Sequence, residues 1–593
     1  MEVCVVNAKL RNINYDCDFC VVGGGLSGMC AAIAAARRGL SVVIMQDRPM
    51  FGGNASSEVR MWISGALGDN NRETGILEEI SLENMYRNPY RTYPIWDSIL
   101  FEIVKNEKNI TVLLNCSCLD CEMDANTIKK VIGWQLTTQT YHTVTARYFA
   151  DCSGDSILAP LTGAEYTSGR ESRSLYNESI APEIGDKKTM GNTCLIQARE
   201  TNSKRTFVPP QWAYKFTEDE LKKRFIGLEN PKENYWYLEL GGTYDTIHDA
   251  EEIRDELLAI AYGMWDYIKN SGNCNADNWE LDWVGFLPGK RENRRYIGDI
   301  VVTQNDIASG GKFEDVVAFG GWTMDDHNPD GIRTSKPATI HHPTPSPFGI
   351  PYRSLYSKNI KNLFFAGRNI SVTHSAMSAT RIMGTCATIG QAMGTAAWVA
   401  AKYNLTPRDV YKNKLSYLQQ ELIYDDCYLP GIKMQMSQII KSAKVITDGQ
   451  YSENLLNGYD RKIGESENCW QGRIGNDIRV CFENAEYITE LRFVFDSDLN
   501  RKTNGDLSTI ADKDTVANYS LNQMPVHIPE TLVKNFRIEL INECGEVISS
   551  EEINNNRQRL VKLSVNKECS GFIITPLSTY GSEIVRIFSI NAK

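Results

Sequence analysis

Two hydrophobic patterns divide the chain. Up to about residue 430, short wholly apolar runs are separated by longer mixed segments; after about Ile440, apolar and polar residues alternate with a period of two. "DFCVVGGG" and "SVVIMQD" have the length and composition of parallel strands buried on both faces. Residues 18–22 are expected to form the first strand, with Cys17 preceding it. "LSGMCAAIAAARRGL", between the two runs, is an alanine-rich helix with Gly39 as its stop. Strand, turn, helix and strand at this spacing make a βαβ unit. "NITVLLNCSCLDCEMDANTIKKVIGWQL" reads as a strand and hairpin, and "ARYFADCSGDS" as a strand ending in a turn.

From about Leu161 to Thr344 the pattern changes. Six of the eleven tryptophans fall there (Trp212, Trp236, Trp265, Trp279, Trp283 and Trp322), with many tyrosines and charges. "AEEIRDELLAIAYGMWDYIKN" predicts a long helix capped by Asp249. The polar stretches "GFLPGKRENRRYIGD" and "GWTMDDHNPDG", holding Arg291, Arg294, Asp326 and His327, read as loops. Buried-strand form returns in "NLFFAGRN". "TRIMGTCATIGQAMGTAAWVAAKY" predicts a helix of small residues, and "TPRDVYKNKLSYLQQELI" one beginning at Pro407. The alternating runs that follow, among them "ELRFVFDSD", "VKNFRIELIN" and "SEIVRIFSINA", predict a β-sandwich of roughly 150 residues.

Composition narrows the function classes. At 593 residues the chain exceeds one core, and 42% hydrophobic with 23% charged residues is that of a globular protein. A net charge of -11 argues against a nucleic-acid partner. No leader-like N-terminus and no apolar run long enough for a membrane helix are seen. Sixteen cysteines without a leader suggest reduced, cytoplasmic thiols.

Gly23, Gly25 and Gly28 form G-x-G-x-x-G between a strand and a helix, where a pyrophosphate meets the helix N-terminus. The position for an acidic ribose contact is Gln46, with Asp47 beyond; the Gln46 amide oxygen still accepts a hydrogen bond. Two Cys-x-x-Cys pairs, Cys17 with Cys20 and Cys118 with Cys121, raise a metal or redox alternative. Their separate strands, and the alternation of side chains along each, are expected to keep the pairs apart and make Cys20 a small hydrophobe. No metal site and no second nucleotide fingerprint are expected.

Taken together, "VVGGGLSGMCAAIAAARRGLSVVIMQDRPMFGGNASSEVRMW", "ADCSGD", "NLFFAGRN" and "SATRIMGTCATIGQAMGTAA" resemble the FAD-dependent oxidoreductases with a glutathione-reductase-type FAD domain. Within these the chain is most similar to a bacterial group often encoded beside carbohydrate-degrading enzymes. The resemblance implies an α/β fold: a discontinuous Rossmann-like FAD-binding domain (15–160 and 345–430) around an inserted α+β substrate or cap domain (161–344). A C-terminal all-β sandwich (440–593) looks like the galactose-binding, discoidin-type jelly rolls. The implied FAD contacts are Gly23, Gly25, Leu26, Ser27 and Gly28 at the first turn, then Gln46, Asp47 and Arg48. Gly53, Asn54 and Ser56 follow in the double-glycine turn, and Cys118 lies against the adenine. Ser153 and Gly154, then Gly367 and Arg368, line the later turns; the family's acidic residue is replaced by Arg368. Arg381, Met383 and Gly384 lie where a helix N-terminus meets the flavin.

Flavin carries the redox chemistry, so the protein must place a substrate and manage one proton. His374 is the candidate acid–base, the alternative being a histidine bonded to neighbouring backbone. Arg60 and Arg381 either contact substrate and flavin or brace loops through ion pairs. The adjacent His341 and His342 lack partners at ligand spacing and read as loop residues. Most of the inserted tryptophans are expected in the core rather than stacked on sugar. The reaction expected first is hydride transfer between flavin N5 and a polar sugar or glycoside, secondary alcohol to ketone. The alternatives are a fumarate-reductase-like reduction of an activated C=C bond and a non-catalytic, carbohydrate-binding flavoprotein. A homo-oligomer is left open.

Overall fold

The computed structural model describes residues 10–222, 224, 226, 228, 234–501 and 513–593. Residues 1–9, which begin the stretch read as leader-free, lie outside the described residues. The chain forms two compact units, one from 1–63, 100–418 and 516–521, the other from 64–99, 419–515 and 522–593.

The first unit is built on a parallel sheet in the order Ile110–Leu113, Val42–Met45, Arg11–Val22, Thr140–Asp151, Leu363–Phe365. The hairpin of Cys116–Asp124 and Thr127–Gln135 extends it by antiparallel pairing to Thr140–Asp151. The crossover between the first two strands is the helix Leu26–Arg37, buried from Leu26 to Ala36. Helix Met383–Tyr403 packs directly on it, and small residues make this possible. A Cβ on Gly390 would lie 2.0 Å from Ser27 O, and one on Gly394 would lie 2.1 Å from Ala31 O.

Several sequence expectations need correction. The first strand starts at Arg11, not residue 18, because "RNINYDC" finds a full-length partner in residues 140–146; Cys17 therefore lies within it. The small-residue helix begins at Met383, after a separate short helix His374–Thr380. His341 and His342 belong to a strand, Thr339–His342, paired with Met324–His327. The "KREN" and "DDH" stretches are not solvated loops: Arg291, Glu292, Arg295, Asp325 and His327 are all buried.

In the inserted segment, helix Ala250–Asn270 covers the predicted residues, and its apolar face carries Leu257, Ala261, Met264 and Trp265 into a core with Ile196, Tyr237 and Trp279. The Asp249 carboxylate accepts from Asp245 N at 3.0 Å instead of capping the helix. Trp265 and Trp279 are core residues, whereas Trp212 is exposed.

The second unit is a C-terminal antiparallel sheet sandwich, with strand order Trp470–Arg473, Ile584–Ala592, Ile478–Phe495, Leu560–Thr579, Val533–Ile541, Val547–Ile553. Lys444–Thr447 adds to Ile478–Phe495. Register breaks at residues 481–486 and 488–490 let that long strand bend. Phe493, Phe495, Phe536 and Phe572 meet in its core with centroids 5.1 to 6.3 Å apart. Residues 64–99, which the sequence pattern groups with the nucleotide-binding half, belong to this unit. Buried Glu78 on helix Ile76–Arg87 binds Arg501 at 2.6 Å and Arg72 at 3.1 Å.

Candidate active site

The glycine turn between Arg11–Val22 and Leu26–Arg37 is held by close packing. Gly23 has φ +107°, and a Cβ there would meet Cys152 C at 2.4 Å. A Cβ on Gly28 would lie 1.9 Å from Gly23 O, so only glycine lets the helix start this close to the strand. Gln46 Oε1 accepts from Gly24 N at 2.6 Å; its amide therefore closes the turn, leaving one lone pair for a ribose. Gly53 Cα lies 3.8 Å from the Cβ position of Gly25, and Ser56 Oγ donates to Gly53 O at 2.8 Å. Ser27 Oγ lies 3.0 Å from the Cβ position of Gly367, and the Arg368 guanidinium lies over Gly154 and donates to Asp155 at 2.7 Å. The structure thus gathers four sequence-distant turns around the start of one helix. Asp47 is exposed, beside Arg48, which also lies 3.9 Å from Glu58.

The second constellation surrounds the first turn of helix His374–Thr380, which Thr373 caps. His374 Nδ1 donates to Glu292 Oε2 at 2.8 Å, and its backbone N donates to Glu171 at 2.9 Å. Arg295 bridges Glu171, at 2.7 Å, and Glu292. His374 Nε2 is buried without a hydrogen-bond partner among the described residues, 3.5 Å from Asp326 Oδ1. Beside it lies a second network: His327 donates to Glu239 at 2.6 Å and to Asp325 at 3.1 Å. Arg381 donates to Asp325 at 2.9 Å, and Arg291 lies 3.4 Å from Glu239.

Neighbouring residues tie the networks together. Asp325 and Asp326, successive on a strand, turn to opposite faces and serve one network each. The amide of Met190 donates to Glu292 at 2.9 Å and that of Gly191 to Glu239 at 2.6 Å.

The electrostatics follow from burial and pairing. Burial opposes the charged form of His374, but Glu292 and Asp326 outweigh it and hold the ring at about 9. Burial likewise pushes Glu292 up, yet His374 and Arg295 keep it below the usual carboxylate range. Asp325, Asp326 and Glu239 are also held low against their burial, and His327 is raised by Asp325 and Glu239. Five carboxylates (Glu171, Glu239, Glu292, Asp325, Asp326) face five cationic groups (Arg291, Arg295, Arg381, His327, His374).

The family described as FAD dependent oxidoreductase matches residues 18–422. The chain belongs to that family. As an FAD dependent oxidoreductase it is an enzyme, and its cofactor is FAD. A curated relative, the 4-oxocyclohex-2-ene-1-carboxylate 5-dehydrogenase of Sinomonas cyclohexanicum, is 37% identical over 86 residues, 14% of either chain. The match therefore spans a small part of that relative. Among solved structures, a geranylgeranyl bacteriochlorophyll reductase-like protein from Thermoplasma acidophilum aligns with 70% of this chain and 86% of its own (11% identity, TM-score 0.31). The family 32 carbohydrate-binding module of Streptococcus pneumoniae EndoD aligns with 26% of this chain and 99% of its own (14% identity, TM-score 0.20).

The residues present fit FAD. Helices Leu26–Arg37 and Met383–Tyr403 both begin without a side-chain cap or an acidic residue in the first turn, leaving N–H groups and a positive dipole end for anionic or electron-rich groups. Arg368 Nε, Asn369 Oδ1 and Thr385 Oγ1 are buried with no hydrogen-bond partner among the described residues.

Of the predicted catalytic residues, His374 and Arg381 enter the paired networks. Arg60 is engaged elsewhere: it bonds Gln197, stacks 4.4 Å over Trp283 and lies 3.8 Å from Asp282. Glu292, Glu171, Asp325, Glu239 and Lys290 escaped the sequence reading. For Glu292, Lys290 and Asp325 the only signal was the density of charge in "GKRENRR" and "MDDH", which also describes a solvated loop; Glu171 and Glu239 stand outside both stretches.

The hairpin folds back so that a Cβ on Gly133 would lie 2.6 Å from Cys116 Sγ and 2.7 Å from Met45 Cε. Cys20, pushed up by burial, also feels Cys17, Cys118 and Cys116. Burial pushes Cys17 and Cys116 up to about 12, which keeps them thiols.

Proposed function

We propose that the enzyme interconverts a secondary alcohol and its ketone on an uncharged polar substrate of the sugar or glycoside class. Gly23, Gly25 and Gly28, with the turns at Gly53, Gly154 and Gly367, would hold FAD, and the N-terminal turn at Met383 and Gly384 would meet its ring. When bound, FAD supplies the two-electron redox chemistry. The observation that carries the reading is His374: one ring nitrogen is fixed by Glu292, and the other is buried 3.5 Å from Asp326 with no hydrogen-bond partner among the described residues. Oxidation of CH–OH to C=O removes a hydride and a proton, and His374 Nε2 accepts that proton from the hydroxyl; in reduction it returns it to the carbonyl oxygen. Glu292 orients the ring and stabilises its cationic form, and Asp326 stands on the open side. A ring held at about 9 is charged at neutral pH, so reduction is favoured there, and oxidation rises as pH approaches 9.

Arg291, Arg295, Arg381, His327 and His374 each already have a carboxylate within 4 Å, which supports an uncharged substrate. The alternative, an unsaturated acid gripped by arginines, would draw on Arg291 and Arg381, which already pair with Glu239 and Asp325, carboxylates that His327 shares. The test is anaerobic bleaching of the holoenzyme with a panel of glycosides. We expect bleaching, slowed about 10²- to 10⁴-fold in His374→Gln. Reoxidation of pre-reduced enzyme by unsaturated acids alone, or a His374→Gln rate equal to wild type, overturns the reading.

A further inference from the structure

We infer that the side-chain amide of Asn192 binds the edge of the flavin ring, donating to its carbonyl and accepting from the adjacent ring N–H. Asn192 is fully buried, and neither Oδ1 nor Nδ2 has a hydrogen-bond partner among the described residues. A carboxamide removed from water with both atoms unpaired is unfavourable unless a ligand satisfies it.

Its position says which ligand. Asn192 stands in the middle strand of three, directly opposite Leu240 on one side and Lys290 on the other. Residues so paired share a face, about 5 Å apart. Lys290 borders the cofactor groove: its carbonyl accepts from Asn54 Nδ2 at 3.0 Å, and its Nζ donates to Asp155 at 2.6 Å. Asn54 follows Gly53, which lies against Gly25 at the start of the nucleotide-binding helix, and Asp155 is held by Arg368. Side chains alternate along the strand, so Thr193, whose Oγ1 accepts from Arg291, takes the other face. Asn192 shares the face of Lys290.

Its chemistry says which part of the cofactor. A phosphate offers only acceptors and would leave Oδ1 unpaired. A planar carboxamide presents one donor and one acceptor side by side, as asparagine does when it reads a purine edge. FAD offers a complementary edge twice, on its adenine and on the flavin pyrimidine, where a carbonyl stands beside an N–H; we assign the flavin edge, and 3-methyl-FAD, altered only there, separates the two.

The test uses apoprotein reconstituted with FAD and with 3-methyl-FAD, whose ring N–H is blocked, the dissociation constant being read from flavin fluorescence. For wild type we expect 3-methyl-FAD to bind at least about tenfold more weakly than FAD. Asn192→Leu should bind FAD about tenfold more weakly, shift the flavin absorption bands, and discriminate little between the two cofactors. Asn192→Asp, of the same size but without the donor, should also weaken FAD; it keeps the test decisive if the leucine variant does not fold. FAD affinity and absorption unchanged in Asn192→Asp, or the same discrimination as wild type in Asn192→Leu, would overturn the assignment.

Discussion

Replacing Glu292 by Gln is the sharpest perturbation of the proposed proton carrier. The His374 ring rises from its ordinary 6.5 to about 9 despite complete burial, which alone would lower it. At about 1.4 kcal/mol per pH unit, the rise corresponds to about 3 kcal/mol of preference for the charged ring, and the carboxylates supply more than this because they also offset burial. Glu292 is the largest of the raising influences. Gln keeps the shape but not the charge, so the His374 pKa should fall by at least about one pH unit. The sign of the stability effect is fixed by linkage. A histidine raised in the folded state contributes stability that is fully present below pH 6.5 and is lost as pH rises through about 9. The part of the Glu292→Gln loss that runs through His374 should therefore be largest below pH 6.5 and vanish in alkali, leaving the loss of the buried Arg295 pair at all pH values. The direct assay is NMR titration of isotope-labelled histidine, with the His374 signal assigned through His374→Gln. Bleaching rates across pH give the kinetic counterpart: the alkaline rise of substrate oxidation should move down with the ring. A His374 resonance that titrates near its ordinary value in wild type, or does not move in Glu292→Gln, would refute the electrostatic argument.

Two further outcomes follow from the packing. Gly28→Ala puts a methyl 1.9 Å from Gly23 O, so the protein should purify with little or no FAD, measured as the ratio of flavin to protein absorbance. Glu78, pushed up by burial but held at about 2 by Arg501 and Arg72, contributes stability above its ordinary 4.5 that is lost as pH falls through about 2. Wild type should therefore lose about 3 kcal/mol more than Glu78→Gln across that window, read by urea unfolding at stepped pH.

How much was legible depended on whether the signal was local. The run "VVGGGLSGMCAAIAAARRG" carries its own periodicity, turn and stop, and the strand, turn and helix appear where those rules place them. The long helix Ala250–Asn270 was legible for the same reason. The extension of the first strand back to Arg11 was not, because "RNINYD" is held by its partner strand rather than by its own hydrophobicity. The break at Arg381 and Ile382, which separates the histidine-bearing helix from the small-residue helix, has no glycine or proline to announce it.

The candidate site divides along the same line. The sequence by itself determined the nucleotide turn, because glycine spacing states a backbone requirement that no other residue meets, and it picked out His374 from its place between two motifs. Only the tertiary structure decided what His374 can do. Glu292 stands 82 residues before it in the chain and Asp326 stands 48 before it; each is one charge among many until the fold buries them against the ring. Burial turns a polar stretch such as "KREN" from a solvated loop into a charged interior, because a carboxylate without water keeps its charge only beside a cation. Hydrophobic periodicity records which residues leave water for packing, and it is silent about those that leave water for a partner.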